Sequence, residues 1–113
     1  MATYLISFPS SAMDVPESEF SAVADAARAV IREAQEAGVY VFGGGIDEDV
    51  EPVLVAADGT TTPGTYPETR EFNGGFTVLE LPSWDAAVEW AAKIARACRC
   101  RQELRVFQFD PLS

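Results

Sequence analysis

Three charged side chains in one short segment are the best candidates for chemistry in this sequence. Arg70 and Glu71 are adjacent, and Glu68 precedes them in the same segment. An arginine offers a planar guanidinium that fits a carboxylate, and a glutamate beside a bound substrate can act as a general base. The alternative is an ordinary ion pair between Arg70 and Glu71 that fixes the loop. Glu68 and Glu71 would converge on one ligand only if the segment turns helically.

Aromatic side chains along the chain form a second candidate feature, an apolar pocket beside these charges. They are Tyr4, Tyr40, Phe42, Tyr66, Phe107 and Phe109. Packing in the core or at a subunit interface explains the same residues equally well. We expect the ligand to be a small organic carboxylate. Its predicted contacts are Arg70, Tyr66, Tyr4, Tyr40 and Phe42.

Several other chemistries are excluded or disfavoured by residue type. The chain has no histidine, so a serine–histidine triad is impossible. The run Gly43-Gly44-Gly45 is followed by Glu48 where a dinucleotide fingerprint has its last glycine, which favours a flexible turn. The acidic residues of segment 47–51 lack the order of a calcium loop and predict a solvated loop. We therefore expect no metal site and no cofactor.

The two cysteines and the charge balance limit the compartment and the partners. Cys98 and Cys100 are too close in sequence for an ordinary disulfide framework and are expected to be free thiols. The formal net charge of −10 repels phosphate backbones and anionic lipid, which argues against nucleic-acid and membrane partners. No apolar stretch is long enough for a membrane span, and no secretory signal is present. The expected location is the cytoplasm.

Hydrophobic periodicity predicts the elements that position these residues. We expect strands over residues 2–8, 39–42, 53–57, 74–81 and 102–109. A helix should start near Pro16 and end at Gly38, and a second should follow Ser83. Asp58-Gly59 is a hairpin turn signal, and segment 63–73 reads as irregular.

This order predicts an α+β, ferredoxin-like βαββαβ fold with an extra hairpin, in a single domain over residues 1–113. Two helices would cover one face of an antiparallel sheet. Several strands nevertheless carry apolar side chains on both faces, as where Leu79 and Leu81 alternate with Phe76 and Val78. Tyr40 and Phe42 are expected to share a face. An uncovered apolar face predicts a partner, most simply a second copy of the chain.

The segment from Thr62 to Phe76 carries a family resemblance. It is similar to the signature block of the YCII-related (DGPF) family, in which a DGPF tetrapeptide is followed by an ETKE-like segment and then GGF. The matching positions are Gly64, Glu68, Thr69, Glu71, Gly74, Gly75 and Phe76, while Arg70 and Tyr66 stand for the family's lysine and phenylalanine. The likeness extends over nearly the whole chain.

The resemblance implies a homodimer of the dimeric α/β-barrel type with a cleft between sheet and loops. Most such proteins have no established activity, some are lyase-like enzymes with a histidine–aspartate pair, and others are associated with sigma-factor regulation. Here Pro63 replaces the aspartate of the tetrapeptide, Thr65 replaces its proline, and Gly44 replaces an acidic residue. Because histidine is also absent, the histidine–aspartate chemistry does not carry over.

We therefore expect a homodimeric YCII-related domain of unknown function that binds a small molecule without histidine-based catalysis. One alternative is a lyase- or isomerase-type enzyme with Glu71 or Glu68 as base and Arg70 as anion clamp. The other is a regulatory protein-interaction module. The charge of Arg70 favours the ionised form of a neighbouring carboxylate, which opposes a general base poised near neutrality.

Overall fold

The computed structural model describes residues 1–112 and has an α+β architecture. Its elements are β1 (Ala2–Phe8), α1 (Phe20–Glu36), β2 (Tyr40–Gly45), β3 (Val53–Val55), β4 (Thr61–Pro63), β5 (Gly75–Leu81), α2 (Trp84–Cys98) and β6 (Glu103–Val106). Short 3₁₀ turns occupy the connections at Ser10–Ala12, Glu17–Glu19 and Pro67–Thr69.

The main sheet has four antiparallel strands in the order β2–β5–β1–β6. Each helix links two strands that are not neighbours in the sheet, so each is a crossover connection. This is the ferredoxin-like βαββαβ arrangement, with the β3–β4 hairpin inserted before β5. The predicted fold class is confirmed.

Both helices pack on one face of this sheet. Tyr4 pairs with Leu79 and Ile6 pairs with Leu104, so these side chains point the same way. The core joins them to one residue of α1 and four of α2: Ala34, Ala87, Ala91, Ile94 and Cys98. Alanine at several of these positions lets the helices approach the sheet closely, and each buried large aliphatic side chain stabilises the fold by about 1.5–3 kcal/mol.

Local signals set the helix ends. The Ser83 hydroxyl accepts a hydrogen bond from the Ala86 amide at 3.1 Å, which caps α2 as expected. Gly38 follows α1 with a φ of +75°, the left-handed conformation typical of a helix stop. The start of α1 differs from the prediction, because a 3₁₀ turn over Glu17–Glu19 follows Pro16 before the α-helix begins.

A β-bulge in β2 changes the predicted arrangement of two aromatic residues. Tyr40 pairs with Leu79 whereas Phe42 pairs with Val78, so the register shifts by one residue between them. Tyr40 therefore lies on the helix-covered face and Phe42 on the opposite face, and the expectation that they share a face is wrong. The extra residue is Val41, and it resets the period-two alternation.

The Asp58-Gly59 hairpin is present as predicted and forms a sheet of its own. Only β3 and β4 pair in it, over three residues on each side. The turn is held by the Gly59 amide, which donates to the Ala56 carbonyl at 2.9 Å, and by the Thr60 amide, which donates to the Asp58 carboxylate at 2.9 Å. The hairpin therefore takes no part in the main sheet.

Three further boundaries differ from the predictions. The glycine run of 43–45 belongs to β2 and is not a turn. The third strand ends at Val55 and the last at Val106, both earlier than expected. No helix within residues 1–112 has the length and apolar character needed to cross a bilayer.

Candidate functional site

The loop between β4 and β5 turns helically, and this turn decides which side chains share a cleft. A 3₁₀ turn spans Pro67–Thr69, where the Thr69 amide donates to the Tyr66 carbonyl at 3.1 Å. The Phe72 amide then donates to the Thr69 carbonyl at 2.9 Å and extends the turn. As a result, Glu68 and Glu71 line the same cleft. The condition for their convergence is met.

This cleft, here called the sheet cleft, lies between that loop and the sheet face opposite the helices, here called the open face. Its volume is about 270 Å³. Its polar lining consists of Ser7, Glu68, Thr69, Glu71, Asn73, Glu103 and Arg105, and its apolar lining includes Leu5, Phe72 and Phe76.

Strand register explains how the floor of the sheet cleft is assembled. Ser7 of β1 pairs with Phe76 of β5 on one side and with Glu103 of β6 on the other. Arg105 pairs with Leu5 one step along the same face. Residues that pair across an antiparallel ladder share a face, so these five side chains all project from the open face.

The sheet cleft is acidic. It contains the carboxylates of Glu68, Glu71 and Glu103 against the single guanidinium of Arg105. Arg105 forms an ion pair with Glu103 on its own strand. Within residues 1–112, Glu68 and Glu71 form no ion pair, so their charges are available to a ligand.

Arg70 lies on the other side of the loop from these glutamates. It lines a separate depression of about 500 Å³ together with Asp47, Glu48, Val50 and Phe72. We call this the loop cleft. The ion pair between Arg70 and Glu71 that the sequence left open is absent within residues 1–112. Arg70 and the two glutamates are therefore not brought together on one ligand within a protomer.

The predicted aromatic residues are distributed over several places. Tyr4 is buried in the core with its ring 6.1 Å from that of Trp84, and Tyr40 also lies on the helix side. Phe42 is exposed on the open face, outside the lining of the sheet cleft. Tyr66 is exposed at the start of the 3₁₀ turn. They do not form one pocket, and their role in binding stays a prediction.

The wall of the sheet cleft is held in place by segment 73–75. The Asn73 side-chain oxygen accepts a hydrogen bond from the Ser10 amide at 3.0 Å, and the Gly74 carbonyl accepts one from the Ile46 amide at 2.9 Å. Gly75 pairs with Phe8 at the end of β1. These contacts tie the loop to two other connections and fix its position over the sheet.

Sequence reasoning did not single out Ser7, Glu103 and Arg105 as parts of one site. The sequence did carry the signal. Alternation in β1 places Ser7 and Tyr4 on different faces of the sheet, and alternation in β6 does the same for Arg105 and Leu104. Combining these patterns with the neighbouring positions of the first and last strands in a ferredoxin-like sheet brings the three residues together. What was missing was the register between β1 and β6.

The fold and the site thus define an α+β domain in which helices cover one face of the sheet and the other face is open and bears a cleft. The family model for the YCII-related domain matches residues 5–110. The chain therefore belongs to the YCII-related family. A comparison with curated proteins finds no match.

Proposed function

We propose that this YCII-related domain acts as a homodimer that pairs through its open face and binds a small molecule in the sheet cleft. The observation that carries the proposal is the open face itself, which combines exposed apolar side chains with a polar cleft at one end.

The exposed surface of the protomer supports a dimer. The accessible area is 8021 Å² for a chain of 12.2 kDa, whereas a compact monomer of that mass exposes about 6,100 Å². The radius of gyration is 15.7 Å, against about 13 Å for a compact chain of this length. The whole excess is larger than the area that a standard interface buries on each partner, about 800 Å².

The pattern on the open face supports a second copy as the occupant. Its middle row runs Phe42, Val78, Leu5 and Arg105 across the four strands. Phe42 is 62% exposed, and Phe107 beside the last strand is 49% exposed. A two-fold axis would bring this row against its own copy, so its three apolar members would be covered by the open face of the partner. Two sheets stacked in this way would close the sheet cleft of each protomer.

The lining of the sheet cleft supports binding over catalysis. Glu68 and Glu71 lie there without Arg70, so the arrangement of a base with an anion clamp does not form inside one protomer. No histidine is available as an acid or base. The carboxylate expected from the sequence would have to bind Arg70 in the loop cleft, where Asp47 and Glu48 oppose an anion. No arrangement of side chains within residues 1–112 specifically supports the lyase or isomerase alternative or the regulatory module.

Sedimentation velocity at micromolar concentration tests the dimer. The wild-type protein should sediment with about twice the 12.2 kDa of one chain. Phe42→Asp should dissociate it, because a desolvated carboxylate without a partner would be placed in the interface. Phe20→Asp is the matched control, since Phe20 is a similarly exposed phenylalanine on the helix side. Circular dichroism confirms that each variant remains folded.

A small-fragment screen tests the ligand-binding half. Amide chemical shifts of the ¹⁵N-labelled protein should change around Ser7, Glu71 and Glu103 for at least one class of fragment. A wild-type monomer, or a dimer that resists Phe42→Asp as well as Phe107→Asp, would contradict the proposed interface. Fragments that bind only elsewhere would contradict the proposed cleft.

A further inference from the structure

The hydroxyl of Ser7 stands out as a buried polar group without a partner. Ser7 is only 7% exposed, and it is the one buried polar or charged residue within 1–112. Its side chain forms no hydrogen bond within that range. Within residues 1–112, every side-chain nitrogen or oxygen that is fully buried has a hydrogen-bond partner. Because the Ser7 hydroxyl has none, it must be accessible from the opening of the sheet cleft. The hydroxyl is therefore open to a ligand that enters the sheet cleft.

The charges around Ser7 select the sign of a ligand. Glu103 is already paired with Arg105, while Glu68 and Glu71 have no cationic partner within residues 1–112. Glu68 and Glu71 are exposed to solvent, and a cationic group bound between them would make charge-assisted contacts with both carboxylates. An anion would add a repulsive charge to an excess of carboxylates.

Two aromatic rings add a second reason for a cation. Phe72 and Phe76 both line the sheet cleft, and their ring centroids are 4.6 Å apart. The faces of aromatic rings attract ammonium groups through their quadrupole. The two rings pack against each other and give the cleft an aromatic wall, beside which carboxylates and a hydroxyl acceptor suit an organic ammonium ion.

We propose that the sheet cleft binds a small organic amine in its protonated form, with the Ser7 hydroxyl accepting a hydrogen bond from the ammonium group. This proposal rests on the proposed small-molecule function and names its ligand class. It reverses the charge expected for the ligand from the sequence, because Arg70 lies outside this cleft. The volume of about 270 Å³ suits a short-chain amine.

Three probes with four carbon atoms each and different charge test the proposal: n-butylammonium, n-butanol and butyrate. Each is titrated into the ¹⁵N-labelled full chain, and amide shifts are followed at Ser7, Glu71 and Glu103. The ammonium probe should bind the sheet cleft more tightly than butanol, and butyrate should not bind there. Glu71→Gln should weaken ammonium binding about fivefold, in line with the loss of one charge-assisted contact at a partly exposed site.

Two further variants separate a specific site from general attraction to an acidic protein. Glu51→Gln removes the same charge from the acidic loop, outside the sheet cleft, and should leave ammonium binding unchanged. Ser7→Ala should weaken binding of the ammonium probe while leaving the melting temperature of the free protein close to that of wild type, because the hydroxyl has no protein partner to lose. A serine with a merely structural role would lower the melting temperature as well as the affinity for the ammonium probe.

The outcomes distinguish this proposal from the proposed function. Butanol or butyrate preferred in the sheet cleft would overturn the amine and leave small-molecule binding standing. Equal weakening by Glu51→Gln and Glu71→Gln would overturn a specific amine site. If none of the three probes nor any screened fragment shifts the cleft resonances, both ideas fail, whereas the dimer is judged separately by sedimentation.

Discussion

A β-carbon on Gly74 would lie 2.1 Å from the carbonyl oxygen of Phe8 and 2.7 Å from the amide nitrogen of Ser10. Both are backbone atoms, so neither can move aside as a flexible side chain would. Gly74 also has a φ of +83°, in the region that L-residues with a β-carbon rarely adopt. Glycine is therefore required here for two separate reasons, close approach and backbone conformation.

Gly74→Ala should destabilise the protein by about 3 kcal/mol or more, since left-handed strain alone costs about 1–2 kcal/mol and the contact with Phe8 adds to it. Gly59→Ala is the matched control, because Gly59 has a φ of +89° with nothing within 4 Å of an added β-carbon. It should cost about 1–2 kcal/mol, the conformational part alone. Urea unfolding measures both. Equal losses in the two variants would show that the contact with Phe8 does not matter.

Ser83→Ala should lower the free energy of unfolding by about 1 kcal/mol, because it removes the acceptor for the Ala86 amide at the start of α2. Ser21→Ala provides a control at an exposed serine near the start of α1, where no side-chain cap is present. That variant should stay within about 0.5 kcal/mol of wild type. A loss of similar size in both variants would contradict the capping role.

Cys98 and Cys100 are both free, as predicted from their spacing. Burial raises the pKa of the Cys98 thiol above its ordinary value, and the nearby Cys100 adds to this. Burial also raises the pKa of Cys100, against the opposing hydrogen bond from Gln102. Thiol titration of the denatured, unreduced protein should find two thiols per chain. Alkylation of the native protein at neutral pH should be slow, and slower at Cys98 than at Cys100.

These two pKa shifts also fix the direction of a pH effect on stability. The folded protein holds the thiol protons more tightly than the unfolded chain, whose cysteines ionise near pH 8.5. The associated stability is fully present below that pH and is lost as pH rises through the folded-state pKa values. Unfolding experiments between neutral and alkaline pH should show stability falling at the upper end. Stability that rises there would contradict the direction of both shifts.

Dimer affinity should increase with salt. Each chain carries a formal charge of −10, so two copies repel one another, while the open face offers apolar attraction that salt does not weaken. Raising ionic strength from about 0.01 M to about 0.15 M shortens the screening length from about 30 Å to about 8 Å. The dissociation constant from sedimentation equilibrium should fall over this range. A dimer that weakens with salt would point to an interface held by ion pairs.

The strands that follow strict alternation could be assigned to faces from sequence. Tyr4 and Ile6 in β1 and Leu79 and Leu81 in β5 are buried on the helix side as their spacing predicts. In β2 the same rule fails, because the bulge at Val41 inserts an unpaired residue and no side-chain preference announces it. The alternation of side chains between faces could therefore not predict that Phe42 lies on the open face.

The length of the last strand depends on its partner. Alternating apolar residues continue to Phe109, but β1 begins at Ala2 and offers few further backbone groups to pair with. The last ladder contact is the Phe107 amide donating to the Thr3 carbonyl at 2.9 Å.

In the candidate site, Glu68 and Glu71 line one cleft because of a 3₁₀ turn, which their spacing in the sequence alone does not determine.

The separate pairing of β3 with β4 has a practical consequence for engineering. The tip of this hairpin is exposed, and its residues take no part in the ladders of the main sheet. A foreign peptide grafted between Asp58 and Gly59 would interrupt only a local turn, so the chain offers a natural position for epitope display or for a reporter fusion.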